Sequence, residues 1–404
     1  MSHLTTLAKY YASFIDFDLA RIYLGKPGTD TWNAAEHLNA AARWICRAQD
    51  ASRGGGVARS YSLTYNTYFG RRGWNPSYPE TTGYIIPTRF DYSKFSGSGE
   101  MYDRAVQMTD CECEVQMENG AVQGGTIDQA PTPAIFNTGQ VIFGWVRAFQ
   151  ETKCQRYMES AMRAGNYLVE HQDKDGAWRK HLSGFASRSM EFYSYNTRTA
   201  WALLRLHAVS GGSMYMEAAV RNVEHALTQQ EENGWFRNNC LSDPSRPLLH
   251  TIAYCIRGIL ESGIYLERPS YIDAAKKASD ALLERQRGDG SLSGRFDGKW
   301  KPAVSWSCLT GDAQISIIWG RLYQQTRDPK YLAGVKKVND YLKKVQLTHT
   351  RNPGIFGGIA GSDPVHGQYG RFEVLNWAAK FFMDALLTEI SIEKNEPSAE
   401  GGYA

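Results

Sequence analysis

Gln172-Asp-Lys-Asp-Gly176-Ala-Trp178 is the stretch on which the fold is decided. Before it, residues 157–169 place apolar side chains three and four apart, the spacing of one buried helical stripe. Gly176 supplies the positive φ with which a chain leaves a helix, and Trp178 can fold back as an apolar plug. A polar and aromatic connection then leads to Tyr195-Asn196-Thr197-Arg198, which opens a second and more apolar helix from Ala200 to Leu206, with Asn196 or Thr197 as its N-cap.

This unit recurs along the chain. Tyr157, Tyr215, Tyr271 and Tyr331 each precede a glutamine by 15 residues, and Tyr102 precedes Gln116 by 14. With Gln49 at the head, the glutamines at 49, 116, 172, 230, 286 and 346 are separated by 67, 56, 58, 56 and 60 residues. Glycines follow at Gly54, Gly120, Gly176, Gly234, Gly290 and Gly354. Such a period fits two helices and their loops, and a lone helix pair cannot bury its apolar face.

Six helix pairs can close into a ring with the more apolar helix of each pair inside. An open solenoid would instead need polar faces on its terminal repeats. The last helical pattern, Asn376-Trp-Ala-Ala-Lys-Phe-Phe-Met-Asp-Ala-Leu-Leu387, is strongly apolar, so the sequence predicts an all-α (α/α)6 toroid. A single domain is expected over 1–392, with a leading helix at 1–27, a first repeat helix at 32–49 and a disordered tail at 393–404. The long Gly/Arg/Tyr/Asn-rich connection at 51–79 is an expected active-site loop, because loops of that length in compact domains usually carry function.

Composition narrows the function. The 404 residues are 42% hydrophobic, enough for a large core. A net charge of +3 without a Lys/Arg run argues against nucleic-acid binding. No run of 18 apolar residues and no signal-peptide pattern occurs, so a cytoplasmic protein without a membrane span is expected. The seven cysteines are scattered and odd in number, in keeping with a reducing compartment. Eleven Trp and 23 Tyr exceed the needs of a helical ring and suit a surface that stacks on flat ligand faces.

In a closed ring the inner-helix starts share one end and line one funnel. They read Tyr78-Pro-Glu80-Thr81, Phe136-Asn137-Thr138-Gly-Gln140, Tyr195-Asn196-Thr197-Arg198, His250-Thr251-Ile-Ala-Tyr254, Cys308-Leu-Thr310-Gly-Asp312-Ala-Gln314 and Asn376-Trp377-Ala-Ala-Lys380. Capping accounts for the threonines at 81, 138, 197, 251 and 310. It does not account for Glu80, Gln140, Arg198, His250, Tyr254, Asp312 and Lys380 within a turn of six different starts. Polar groups inside a ring are costly unless paired or solvated, so the cluster reads as a binding cavity. Arg198 and Lys380, with the helix N-termini, favour an anionic or polyhydroxylated ligand.

Two resemblances join this reading. The Gln172–Trp178 stretch resembles the QW repeat of squalene-cyclase and prenyltransferase-like toroids, which implies architecture more than activity. The Asp-x-Asp-Asp acid motif of the cyclases is missing. Cys308, Asp312 and His250 do not match the spacing of farnesyltransferase-like zinc sites, so neither metal nor cofactor is assigned. Asn137-Thr-Gly-Gln140 is similar to the Gly-Gln inner-helix start of glucuronyl C5-epimerases, within the six-hairpin class that also holds glycosidases and uronate lyases. That resemblance implies a poly- or oligosaccharide substrate of the kind found on bacterial surfaces.

The chemistry divides by its parts. Cleavage of a glycosidic bond in a uronate-containing saccharide needs two carboxyl groups, for which Glu80 and Asp312 are the expected pair. Uronate elimination or C5 epimerisation needs a base such as Tyr195, Tyr254 or His250. It also needs groups that neutralise the carboxylate, drawn from Arg198, Asn196, Asn137 and Gln140. Tyr78, Gln314, Asn376, Lys380 and Trp377 complete the expected substrate contacts. Hydrolysis is the first expectation and elimination or epimerisation the second. A toroid that binds polysaccharide without turnover is the third.

Overall fold

A computed structural model describes residues 31–182, 184 and 190–395, together with Lys9 and Ile22. Apart from Lys9 and Ile22, the expected leading helix at 1–27 lies outside the described residues, as does the expected 393–404 tail from 396 onward. Twelve α-helices are present among those described: α1 (Ala34–Asp50), α2 (Pro79–Ser96), α3 (Gly99–Glu114), α4 (Ile135–Thr152), α5 (Gln155–Glu170), α6 (Thr197–Ser210), α7 (Ser213–Leu227), α8 (Leu249–Tyr265), α9 (Pro269–Leu283), α10 (Leu309–Thr326), α11 (Pro329–Val345) and α12 (Asn376–Glu393). The even-numbered helices pack each on the next, and α12 returns to α2, so the inner ring is closed. The odd-numbered helices form the outer layer of an (α/α)6 toroid.

The repeat frame differs from the sequence reading in one respect. Each inner helix pairs most closely with the outer helix that follows it, and α12 pairs with α1. The joints are short because Gly97, Lys153, Gly211 and Arg327 take left-handed conformations that stop α2, α4, α6 and α10. The unit read from 157 to 206 therefore spans an outer helix and the next inner helix, joined by a long connection. All such connections reach the N-terminal end of the inner ring, which is why loops gather there.

The glutamine series has a direct physical cause. Gln116 Nε2 donates to Gly120 O at 2.9 Å and to Ser160 O of the next outer helix at 2.9 Å. Gln172, Gln230 and Gln286 repeat this onto Ala218, Ala274 and Gly334. Gln49 reaches Arg104 O, and Gln346 closes the circle on His37 O at 3.1 Å. One side chain thus ties its own turn to the neighbouring repeat six times round. In the first and last copies the bonded turn glycines are Gly55 and Gly357, not Gly54 and Gly354. A side chain at Gly176, where φ is 87°, would strike the Arg221 backbone at 2.5 Å. Trp178 folds back as expected, with its Nε1 donating to Leu168 O at 2.8 Å.

The 51–79 connection is more ordered than a loop. It holds β1 (Ser60–Asn66) and β2 (Arg71–Trp74), an antiparallel hairpin. β1 also pairs with β5 (Glu373–Leu375), in the register Ser60 opposite Leu375 and Ser62 opposite Glu373. A second small pairing joins β3 (Ser307–Cys308) to β4 (Ser362–Asp363). The first and last connections are therefore stitched together beside the funnel.

Candidate active site

Five inner helices start in nearly the same register, and that register selects the funnel wall. Glu80, Phe136, His250, Thr310 and Trp377 are the second residues of α2, α4, α8, α10 and α12. Glu80, Phe136, His250 and Trp377 line one cavity of about 430 Å3, with Tyr195 ahead of α6 in the equivalent place. One turn deeper, Tyr84 and Tyr254 are sixth residues of their helices and form part of its floor. Tyr78 and Thr81 complete the wall from α2.

Asp312 is the fourth residue of α10, two positions on from this wall. At about 100° per residue, two positions turn a side chain about 200° round the helix, away from the funnel. Asp312 is fully buried there, and its Oδ1 accepts from Leu292 N at 3.0 Å. Thr82 and Thr138, the fourth residues of α2 and α4, accept Val57 N and Val122 N in the same way. Asp312 is thus the fifth repeat's anchor for its incoming connection, and burial pushes its carboxyl well above the usual range. The expected Glu80–Asp312 pair does not face a common cavity.

The threonines also differ from simple caps. Thr81, Thr138, Thr197 and Thr251 donate to preceding backbone carbonyls. No inner helix has a side-chain N-cap bond. Asn376 bonds Ala58 O and Thr81 Oγ1, and so seals α12 to α2 rather than lining the cavity. Asn196 is buried at the head of α6, outside the lining.

Both expected cations lie below the floor. Lys380 Nζ is 2.6 Å from Asp384 Oδ2 with neither side chain exposed, and burial lowers its pKa to about 8. The Arg198 guanidinium lies 4.9–5.7 Å from the ring centres of Tyr84, Phe143, Trp201, Tyr254 and Phe381, and its Nε donates to Gln140 Oε1 at 2.6 Å. Arg198 Nη2 is buried without a hydrogen-bond partner. Deeper still, Arg257 and Arg321 share Glu261. Four buried cations therefore stand against Glu261 and Asp384, and the ring interior is positive beneath the cavity.

The sequence reading missed Arg59, Tyr369 and Gln368, which reach the cavity from the first and last connections. Arg59 Nη1 is held by Glu373 Oε2 at 2.9 Å, and its guanidinium lies 4.9 Å from the centre of the Trp377 ring. Glu373 also accepts from Asn66 Nδ2 at 2.7 Å. Only the β1–β5 pairing puts residues 59 and 373 side by side, and no local sequence signal marks that contact. Tyr369 accepts from Trp377 Nε1 at 2.8 Å and stands 5.3 Å from the His250 ring.

Two titratable groups face the cavity in contrasting states. Glu80 Oε2 accepts from Tyr78 OH at 2.6 Å, and Asn137 Nδ2 lies 3.4 Å behind Tyr78 OH. Burial raises the Glu80 pKa to about 7, against the pull of Tyr78, Arg198 and Arg59. His250 Nδ1 is 2.9 Å from Gln314 Oε1, an acceptor, so Nδ1 carries the proton and Nε2 keeps its lone pair. Burial, with Arg198 adding to it, lowers the His250 pKa to about 4. Burial pushes the pKa values of Tyr195 and Tyr254 upward, so both hydroxyls are protonated at neutral pH. Among the described residues no three His, Cys, Asp or Glu side chains converge as a metal site. None of the described helices is long and apolar enough to cross a membrane.

Comparisons with known proteins agree with this architecture. Residues 101–260 match the model of the squalene-hopene cyclase C-terminal domain, itself an α/α toroid. No curated protein matches the sequence. Among solved structures, an unsaturated glucuronyl hydrolase specific for heparin superposes with a TM-score of 0.71 at 15% identity, covering 89% of this chain and 98% of its own. The unsaturated glucuronyl hydrolase of Bacillus sp. GL1, responsible for degradation of glycosaminoglycan, gives 0.70 at 14% identity over 92% and 98%. Cellobiose 2-epimerase from Bacillus thermoamylovorans B4167 gives 0.67 at 13% over 87% and 97%. The chain has the (α/α)6 toroid fold of these six-hairpin enzymes.

Proposed function

We propose that this chain is a carbohydrate-active enzyme that moves a proton at a ring carbon of an acidic sugar, with Glu80 as the acid and His250 as the base. The observation that carries the proposal is the pairing of one carboxyl near pKa 7 with a neutral imidazole in the same cavity. A general acid works best when its pKa lies near the working pH. The positive interior beneath the floor supports an anionic substrate, and Tyr78, Tyr195, Tyr254 and Tyr369 offer hydroxyls or ring faces to sugars.

In this scheme His250 Nε2 removes the hydrogen on the carbon next to a uronate carboxylate. For elimination, the C–H electron pair forms a ring double bond, the bond to the leaving glycosidic oxygen breaks, and Glu80 protonates that oxygen. For epimerisation, Glu80 returns a proton to the same carbon from the opposite face. Two-carboxylate hydrolysis is less well supported, since among the described residues Glu80 is the one carboxylic acid lining the cavity.

A second reading rests on the same single acid and on the similarity to unsaturated glucuronyl hydrolases. Glu80 would protonate the double bond of an unsaturated uronate, and water activated by His250 would add to the resulting cation. The unstable product would then release its leaving sugar.

The test supplies unsaturated and saturated uronate disaccharides to wild type, Glu80→Gln and His250→Gln. Gain of near-ultraviolet absorbance marks elimination, its loss marks the unsaturated-sugar reading, and deuterium uptake from heavy water marks epimerisation. Either substitution should lower turnover by about 10² or more while binding changes a few fold. Full turnover in Glu80→Gln would sink the proposal, and binding without any product would leave a saccharide-binding toroid.

A further inference from the structure

We infer that the groove outside this cavity is a second saccharide subsite, with the Tyr68–Phe69 tip of the β1–β2 hairpin as its stacking platform, so that the substrate is a chain of sugars. The inference rests on the proposed placement of a sugar in the inner cavity. It adds where the sugars beyond the first two lie.

The groove encloses about 1180 Å3 against about 430 Å3 for the cavity, and Arg59 and Tyr78 line both, so the two spaces meet along these side chains. A monosaccharide enzyme has no need of the larger space. The platform beside it is unusual for a folded chain: Tyr68 is 64% exposed, the most exposed large hydrophobic side chain described. Core packing therefore does not explain it.

The tyrosine is nevertheless held in place. Gln129 Nε2 donates to Tyr68 OH at 2.7 Å, and the Tyr68 ring meets Phe69 edge-on at 4.8 Å. Asn66 Oδ1 accepts the backbone N–H groups of Tyr68 and Phe69 at 3.0 and 3.2 Å, which fixes the hairpin turn. Behind Phe69 the Arg59 guanidinium lies 5.4 Å from the ring centre. An aromatic face held from two connections stacks on a sugar ring at little entropic cost. Thr126, Gln129 and Thr132 add hydroxyl and amide groups along the groove for the sugar's edges.

Among its described lining residues the groove offers faces for sugars and no unbalanced charge. Arg179 is engaged by Asp173 and Asp175, and Arg59 by Glu373. Lys180 and Glu191 contribute one charge of each sign. Affinity gained from this subsite should therefore resist salt.

The experiment is an array of uronate-containing and neutral oligosaccharides of two, four, six and eight sugars, probed with wild type, Tyr68→Ala and Tyr68→Phe. The expected result is a gain of about tenfold in affinity beyond the disaccharide. That gain should vanish in Tyr68→Ala, survive in Tyr68→Phe and persist at high salt, while disaccharide binding stays unchanged in all three. Disaccharide binding without any gain from length overturns the subsite and leaves the acid–base reading standing. A length gain that Tyr68→Ala retains overturns the platform. If no glycan of any length is retained, the subsite and the sugar-binding cavity fall together.

Discussion

Replacing Glu80 by Gln should stabilise the protein at alkaline pH and do almost nothing in acid. The carboxyl is buried, and its pKa stands at about 7 instead of the ordinary 4.5. At about 1.36 kcal/mol per pKa unit, ionised Glu80 costs the folded state about 3 kcal/mol that the unfolded chain does not bear. The sign follows from proton counting. Between pH 4.5 and 7 the folded state binds more protons than the unfolded one, so wild-type stability declines across that window and stays lower above it. Glutamine preserves an oxygen to accept Tyr78 OH and removes the ionisation. The raised carboxyls at Asp312, Asp384 and Glu112 are common to both proteins and cancel in the difference. Urea denaturation of the two proteins at pH 4.5 and pH 8 should give a difference near zero at the first and up to about 3 kcal/mol in favour of the variant at the second. A difference independent of pH would show that Glu80 has no raised pKa, and the assignment of the acid would fail with it.

Asp312→Asn should leave turnover within about threefold of wild type while Glu80→Gln loses about 10² or more, because only Glu80 faces the cavity; equal losses in a steady-state assay would restore the two-carboxylate scheme. Arg198→Met should raise the pKa values of both Glu80 and His250, since the guanidinium lowers each. The alkaline limb of the pH–rate profile then moves upward, and an unmoved limb would mean that the buried charge is screened from the site. Gly83→Ala should destabilise the ring by about 1–3 kcal/mol, the usual cost of overpacking, because its Cβ would lie 2.6 Å from Val141 Cα across the α2–α4 contact; a denaturation midpoint like that of wild type would contradict the close helix approach.

The architecture was readable because one interaction, repeated six times, leaves a mark in one dimension. Gln172 and its counterparts stay in register since each must reach its own turn glycine and the next outer helix at once. The degenerate first and last turns shifted the glycine by one and by three residues, and Gly55 and Gly357 were missed for that reason. At the site, the list of helix starts named Glu80, His250, Tyr195, Tyr254, Tyr78 and Trp377, all of which line the cavity. It could not tell a funnel-facing second position from an outward fourth one until the helix starts were fixed to the residue, and so it admitted Asp312. Arg198 and Lys380 were rightly placed inside the ring but one turn too shallow. Arg59 and Tyr369 were invisible for a different reason, since strand pairing between the two ends of the chain brings them to the cavity.

The seam between α12 and α1 also imposes an order on biosynthesis. Five of the six glutamine ties join stretches about one repeat apart, whereas the tie from Gln346 to His37 spans 309 residues. At about 5–20 residues per second, helix α1 leaves the ribosome roughly 15 to 60 s before the residues that bind it. Its partner α12 and strand β5 are made last among the described elements, so the cavity wall contributed by Arg59 waits for them. Throughout that interval α1 lacks its contacts with α12, while its contacts within the first repeat, Trp44 against Trp74 and Ala42 O with Arg89, are already available. A circular permutant cut within the 171–196 connection would make α12 and α1 neighbours in sequence and move the long-range closure to the contacts of α4 and α5 with α6 and α7.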